Sequence, residues 1–148
     1  MKLYAAPLNF RDLAEEFSVP TEFPDPVVAE AETLTDTCAH ARIDARSIPL
    51  VTIDPVGSKD LDQAVAIERA GDGYRVYYAI ADVAAFVEPA TLVKQESLRR
   101  GQTIYLPDEP ARLHPPALSE GTASLLPDVD RPAVLWRFDL DADGEVVD

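Results

Sequence analysis

Two apolar runs of strand length, Ile48-Pro49-Leu50-Val51-Thr52-Ile53 and Ala64-Val65-Ala66-Ile67, enclose the turn Asp54-Pro55-Val56-Gly57-Ser58-Lys59-Asp60-Leu61-Asp62-Gln63. The first run is nearly continuous in apolar residues, as expected of a buried strand, so the turn is anchored at both ends. It therefore collects three carboxylates and an amide in one small space. Acidic oxygens held this way repel one another unless a cation sits among them, and hard oxygen donors suit magnesium or manganese. Asp and Gly are also ordinary turn residues, so a solvated acidic turn explains the same stretch until other parts of the chain add to it.

The strand texture continues beyond the turn. Ala64–Glu68 and Tyr74–Ile80 flank Arg69-Ala70-Gly71-Asp72-Gly73, a hairpin signal. Val76, Tyr78 and Ile80 alternate with Arg75, Tyr77 and Ala79, which predicts one face turned to a core. Residues 91–100 read as a helix, with Thr91 as cap, Leu92, Val93 and Leu98 as its apolar stripe and Gly101 as its stop. From Gln102 to Asp130 five prolines pre-set a stiff, extended, loop-rich path. Ala133–Leu140 and Glu145–Val147 form a hairpin. Asp139-Leu140-Asp141-Ala142-Asp143-Gly144 imitates the start of a calcium-binding EF-hand loop, but strand-like neighbours on both sides make it a hairpin turn.

Residues 1–46 differ in texture. Leu8, Phe10, Leu13 and Phe17 fall near helical spacing, Pro20, Pro24 and Pro26 interrupt it, and a second helix is predicted from about Pro26 through Val27, Val28 and Ala31 to Leu34. This segment reads as a separate or loosely packed helical lead-in, with residues 47–148 as the strand-rich domain. The fold class is therefore α+β, a largely antiparallel mixed sheet with flanking helices.

Thirteen basic against 27 acidic residues leave a formal net charge of −14, which excludes nucleic-acid binding by general attraction. Any RNA-handling role needs metal ions or basic surface from elsewhere. Cys38 is the single cysteine, so neither an internal disulfide nor a thiolate metal site is available, and two histidines are too few for a histidine-based zinc centre. His40 and His114 are isolated and read as structural. No run of 18 or more apolar residues and no signal-peptide layout occurs, so the expectation is a soluble, cytoplasmic, monomeric protein without a membrane partner.

Four ordered blocks raise the weight of the acidic turn: Thr52-Ile53-Asp54-Pro55 through Asp60-Leu61-Asp62-Gln63-Ala64; Tyr78-Ala79-Ile80-Ala81-Asp82-Val83; Gly101-Gln102-Thr103-Ile104-Tyr105-Leu106-Pro107; and Leu118-Ser119 through Ala123-Ser124-Leu125. Together they closely resemble the first half of the catalytic domain of the ribonuclease II/ribonuclease R family, over about residues 48–148. The resemblance implies a processive 3′→5′ exoribonuclease that hydrolyses single-stranded RNA to nucleoside 5′-monophosphates with magnesium or manganese. It places Asp54, Asp60 and Asp62 at three of the family's four acidic metal-ligand positions, Asp62 being the carboxylate most critical for the chemical step. The fourth position carries Gln63, whose carbonyl can ligate a hard cation without adding charge. Tyr105 matches the family's base-stacking tyrosine near the RNA 3′ end.

The chemistry accounts for these residue types. Phosphodiester hydrolysis needs an activated water and relief of charge on the attacking and leaving oxygens, which paired metals roughly 3.5–4 Å apart supply. Asp60 and Asp62, two apart on an extended segment, project to one side, and an aromatic face suits unstacked bases of a single strand. Asp82 is left out of the site as a cap or supporting residue. Lys59 is expected to be solvated, and Arg112 and Arg131 are expected to make surface ion pairs rather than phosphate contacts. The resemblance supplies no counterpart here for the family's later catalytic arginine and glutamate or its basic RNA-binding domains. A longer parent chain is therefore expected, with the fragment alone inactive. The alternative is a non-catalytic RNA- or protein-binding module with a degenerate metal site; a metal-binding scaffold without an RNA role comes third.

Overall fold

Gly71 and Asp72 reverse the chain in a two-residue loop, with Gly71 at a φ of 62°, and the hairpin they close is the centre of the fold. The computed structural model describes residues 9–147. In chain order it contains α1 (Arg11–Glu16), α2 (Asp25–Ala31), β1 (Gln63–Ala70), β2 (Gly73–Ala81), α3 (Leu92–Arg100), β3 (Ile104–Tyr105), β4 (Pro110–Ala111) and β5 (Ala133–Leu140). β2 lies between β1 and β5 and is antiparallel to both, with Val65, Tyr78 and Trp136 in one row across the sheet. β3 and β4 form a separate two-stranded ribbon. The architecture is α+β, as the sequence indicates. Gly73 is required where β5 ends: a Cβ there would collide with the Leu140 carbonyl.

The main core gathers residues from outside the sheet. Val27 and Ala31 of α2 pack with Ala85, Phe86 and Val87 after β2, Val93 of α3, and Leu118 and Ala123. Helix α2 of the lead-in is thus packed into the same core as α3. Arg100 strengthens this junction, donating to the carbonyls of Pro20, Glu22 and Arg112 and stacking its guanidinium 3.6 Å from the Phe23 ring centroid. Its charge is matched by Glu96, whose Oε1 accepts from Arg100 Nε at 2.8 Å.

Four expectations from the sequence are corrected. Ile48–Ile53 is no buried strand: Val51 makes one antiparallel bridge to Val65, and Val51 and Ile53 are exposed. On β2 the buried side chain is Ala79, opposite Ala64 of β1, while Ile80 is exposed. The large apolar residues Ile67, Ile80, Val134 and Trp136 occupy the outward face, where Trp136 and Phe138 stack. On α3 the capping agrees, with the Thr91 hydroxyl accepting from Lys94 N–H at 3.1 Å, but the buried stripe is Val93, Glu96 and Arg100 while Leu92 and Leu98 are exposed. Finally, the proline-rich stretch contains β3, β4 and a helical turn over Leu118–Thr122 broken at Gly121. Pro115 and Pro116, read as extending the chain, instead stand at the start of that turn, where a fixed φ suits a helix. Leu8 and Asp148 lie outside the described residues.

Candidate functional site

The acidic turn begins as a tight reversal. Ser58 N–H donates to the Pro55 carbonyl at 3.0 Å, and Gly57 at the third position has a φ of 92°, a conformation side chains with a Cβ rarely adopt. Beyond it the backbone is tied down at Lys59, Leu61 and Asp62. Leu61 N–H donates to Ser124 Oγ at 3.0 Å, and the Ser124 hydroxyl donates to the Lys59 carbonyl at 2.5 Å. The Leu61 carbonyl accepts from Leu125 N–H at 2.7 Å, and the Asp62 carbonyl accepts from Ala81 N–H at 2.9 Å. Leu61 itself is buried, so its exposed neighbours Asp60 and Asp62 face away from it, as alternation along an extended segment requires.

Two cavities meet at Asp62. One, of about 250 Å³, is lined by Asp60, Asp62, Tyr105, Arg112, His114 and Ser119 among others. The other, of about 380 Å³, is lined by Val51, Ile53, Asp54, Asp62, Gln63 and Tyr78 among others. Asp60 and Asp54 therefore border different cavities, and Asp62 borders both. Gln63 opens β1 and its Oε1 accepts a hydrogen bond from the Tyr78 hydroxyl. Tyr105 on β3 is 75% exposed, so its ring is not part of the core.

The donor set fits a hard divalent cation in kind, being three carboxylates and one amide oxygen. Among the described residues, however, no three His, Cys, Asp or Glu side chains are gathered closely enough to hold a metal ion. The sequence thus brings Asp60, Asp62 and Tyr105 to one cavity and leaves Asp54 and Gln63 on the far side of Asp62.

Other side chains take the supporting positions. Asp82 precedes the short turn after β2 without a side-chain cap bond, and its carboxylate pairs with Arg42 at 2.8 Å. Arg112 pairs with Glu120 at 2.6 Å. Arg131, expected in a surface ion pair, instead donates to the Ser124 carbonyl at 2.9 Å. Residue-by-residue reading missed Ser124, although it lies within a block that carries the resemblance. Its signal was a lone hydroxyl between apolar Ala123 and Leu125, which in a buried segment must find partners. His114 also belongs to the cavity wall, with Nδ1 2.9 Å from Ser97 Oγ. Burial, then the nearby Lys94 charge, push its pKa below the usual histidine value.

The fold is an α+β domain in which an acidic turn enters the first strand of an antiparallel sheet. The family model described as "RNB domain" matches residues 42–148, and the chain belongs to that family, which includes ribonucleases II and R. It is similar to Ribonuclease R of Acidithiobacillus ferrooxidans, 39% identical over 132 residues that cover 86% of this chain and 30% of that protein. Among solved structures it resembles Mycoplasma genitalium RNase R in complex with double-stranded RNA, with a TM-score of 0.86 and 30% identity over 93% of this chain and 25% of that one. The same enzyme in complex with ribose-methylated single-stranded RNA superposes equally, at a TM-score of 0.86 and 30% identity over 93% of this chain and 22% of that one. The chain thus spans less than a third of the length of these relatives. Among the described residues no helix is long and apolar enough to cross a membrane.

Proposed function

We propose that this chain forms the front part of the catalytic centre of a metal-dependent 3′→5′ exoribonuclease. Its partner is single-stranded RNA, shortened to nucleoside 5′-monophosphates by a monomeric cytoplasmic enzyme. The observation that carries the reading is the placement of Asp62: its backbone is anchored on both sides, and it lines two cavities, one of them shared with an exposed tyrosine. The similarity to RNase R structures solved with RNA supports the choice of polymer.

In this reading Asp54, Asp60, Asp62 and Gln63 hold magnesium or manganese, and Asp62 is the catalytic carboxylate. The bound ion would relieve charge on the scissile phosphate and activate water. Tyr105 offers its face to an unstacked base, and Ser124, Leu125 and Ala81 keep the Asp60–Asp62 segment from shifting. The remaining catalytic and basic RNA-binding groups come from further polypeptide in the parent protein. One observation favours the alternative of a non-catalytic binding module: the Gln63 oxygen is already engaged by Tyr78.

The test follows a 5′-labelled single-stranded RNA with the natural-length protein containing this chain, in magnesium or manganese, beside Asp62→Asn. The expected result is a ladder shrinking from the 3′ end, absent in the variant. RNA that is bound but never shortened in either metal would overturn the catalytic reading and leave the binding module.

A further inference from the structure

The Ser97 hydroxyl has one proton, and it donates that proton to the Val93 carbonyl at 2.7 Å. Its oxygen is also 2.9 Å from His114 Nδ1. With the hydroxyl proton already committed, the second bond exists only if Nδ1 carries a hydrogen and donates it. The imidazole is therefore held as the Nδ1–H tautomer, and Nε2 is left with its lone pair. Among the described residues Ser97 is the ring's only hydrogen-bond partner, and none of their buried side-chain nitrogen or oxygen atoms lacks a partner. Nε2 is consequently not sealed in the core, and the open space His114 borders is the cavity it shares with Asp60, Asp62 and Tyr105. The ring's depressed basicity keeps it neutral near pH 7, which preserves the lone pair as an acceptor.

In the cavity that His114 lines, Arg112 gives its Nε–H to Glu120, and the Asp60 and Asp62 carboxylates are themselves acceptors. A ligand lying there against Tyr105 can offer a donor of its own, and a ribonucleotide carries an O–H that a deoxyribonucleotide lacks. We propose that His114 is a specificity-determining residue of this cavity, its Nε2 accepting a hydrogen bond from a ribose 2′-hydroxyl, with Ser97 as the positioning residue that fixes the tautomer. The proposal rests on the RNA reading above and deepens it by naming how this site tells RNA from DNA.

The experiment measures affinity of the natural-length protein for an RNA strand and for the DNA strand of the same sequence, in chelator so that neither is hydrolysed. Wild type is compared with His114→Phe, which keeps an aromatic ring and removes the acceptor, with His114→Gln, which restores one, and with Ser97→Ala. Loss of one neutral hydrogen bond should lower the RNA-to-DNA affinity ratio about fivefold in His114→Phe, with DNA affinity unchanged. His114→Gln should recover part of the ratio, and Ser97→Ala should lower it by a smaller factor. An unchanged ratio in a folded His114→Phe, with wild type still preferring RNA, overturns the role of His114 and leaves the RNA reading intact. Equal loss of RNA and DNA affinity also overturns it, since that is the signature of a misplaced wall. Should His114→Phe fail to fold, the Ser97→Ala ratio decides. Failure of wild type to bind RNA overturns this proposal together with the reading beneath it.

Discussion

Ser124 holds Leu61 in place: its hydroxyl oxygen accepts the Leu61 N–H at 3.0 Å, from a side chain that is 2% exposed. The same hydroxyl donates to the Lys59 carbonyl, so one buried group bridges both sides of Asp60. Replacing it by Ala leaves the buried Leu61 N–H and the Lys59 carbonyl without this partner. Ser124→Ala should cost about 1–3 kcal/mol of stability, read from the midpoint of urea unfolding. A midpoint equal to wild type would show that the turn is held by other means.

Tyr105 separates stability from binding. Its ring is largely exposed on a two-residue strand, so Tyr105→Ala should leave the thermal midpoint nearly unchanged. Single-stranded RNA affinity should fall by about 1–3 kcal/mol, the usual worth of stacking one base on an aromatic ring. Equal RNA affinity in the two proteins would exclude the stacking role.

Gln63 is the uncharged member of the proposed ligand set. A carboxylate there would add a full negative charge beside Asp62, and charges about 4 Å apart are worth about 1 kcal/mol or more even with strong screening. Gln63→Asp should therefore bind manganese at least about fivefold more tightly by calorimetry. Weaker or equal binding would mean that this position lies outside the metal's reach.

Arg100 joins the lead-in to the rest of the molecule. Arg100→Leu removes the bonds to Pro20, Glu22 and Arg112 and leaves the Glu96 carboxylate with Arg99 as its remaining cation, for a loss of about 1–3 kcal/mol. The double change Glu96→Leu with Arg100→Leu should recover little of that loss, since Arg99 already neutralises Glu96 in the single variant. Chemical denaturation of the single and double variants checks both statements.

Acid should weaken the fold partly through His114. Burial and Lys94 depress its folded pKa below the ordinary value of 6.5, so the unfolded chain takes up the proton first as pH falls. The stability this contributes is complete above pH 6.5 and is lost as pH drops from there through the folded value. Melting temperature should accordingly rise between pH 5 and 7 in wild type, with a shallower rise in His114→Phe. Identical slopes would assign the acid sensitivity to other groups.

Much of this was legible in the chain itself. Gly71-Asp72 announced the hairpin, Thr91 and Gly101 bounded α3, and the order of the four blocks announced the family. Those signals are local: a turn, a cap or a motif is defined by residues within a few positions of one another, and each brings its own backbone preference. What lay beyond reach was decided across long sequence separations. Alternation along β2 showed that its two faces differ, but the face carrying small Ala79 is the buried one, because burial depends on which elements arrive to cover a face. The hydroxyl of Ser124 finds Leu61 across 63 residues, and the Ser97 hydroxyl that fixes the His114 tautomer comes from a different element. The sequence by itself singled out the candidate residues, because the four motif blocks are local patterns. Only the tertiary structure decided that Asp60 and Asp62 share a cavity with Tyr105 while Asp54 borders another, since a carboxylate's neighbours are set by packing and not by its place in the chain.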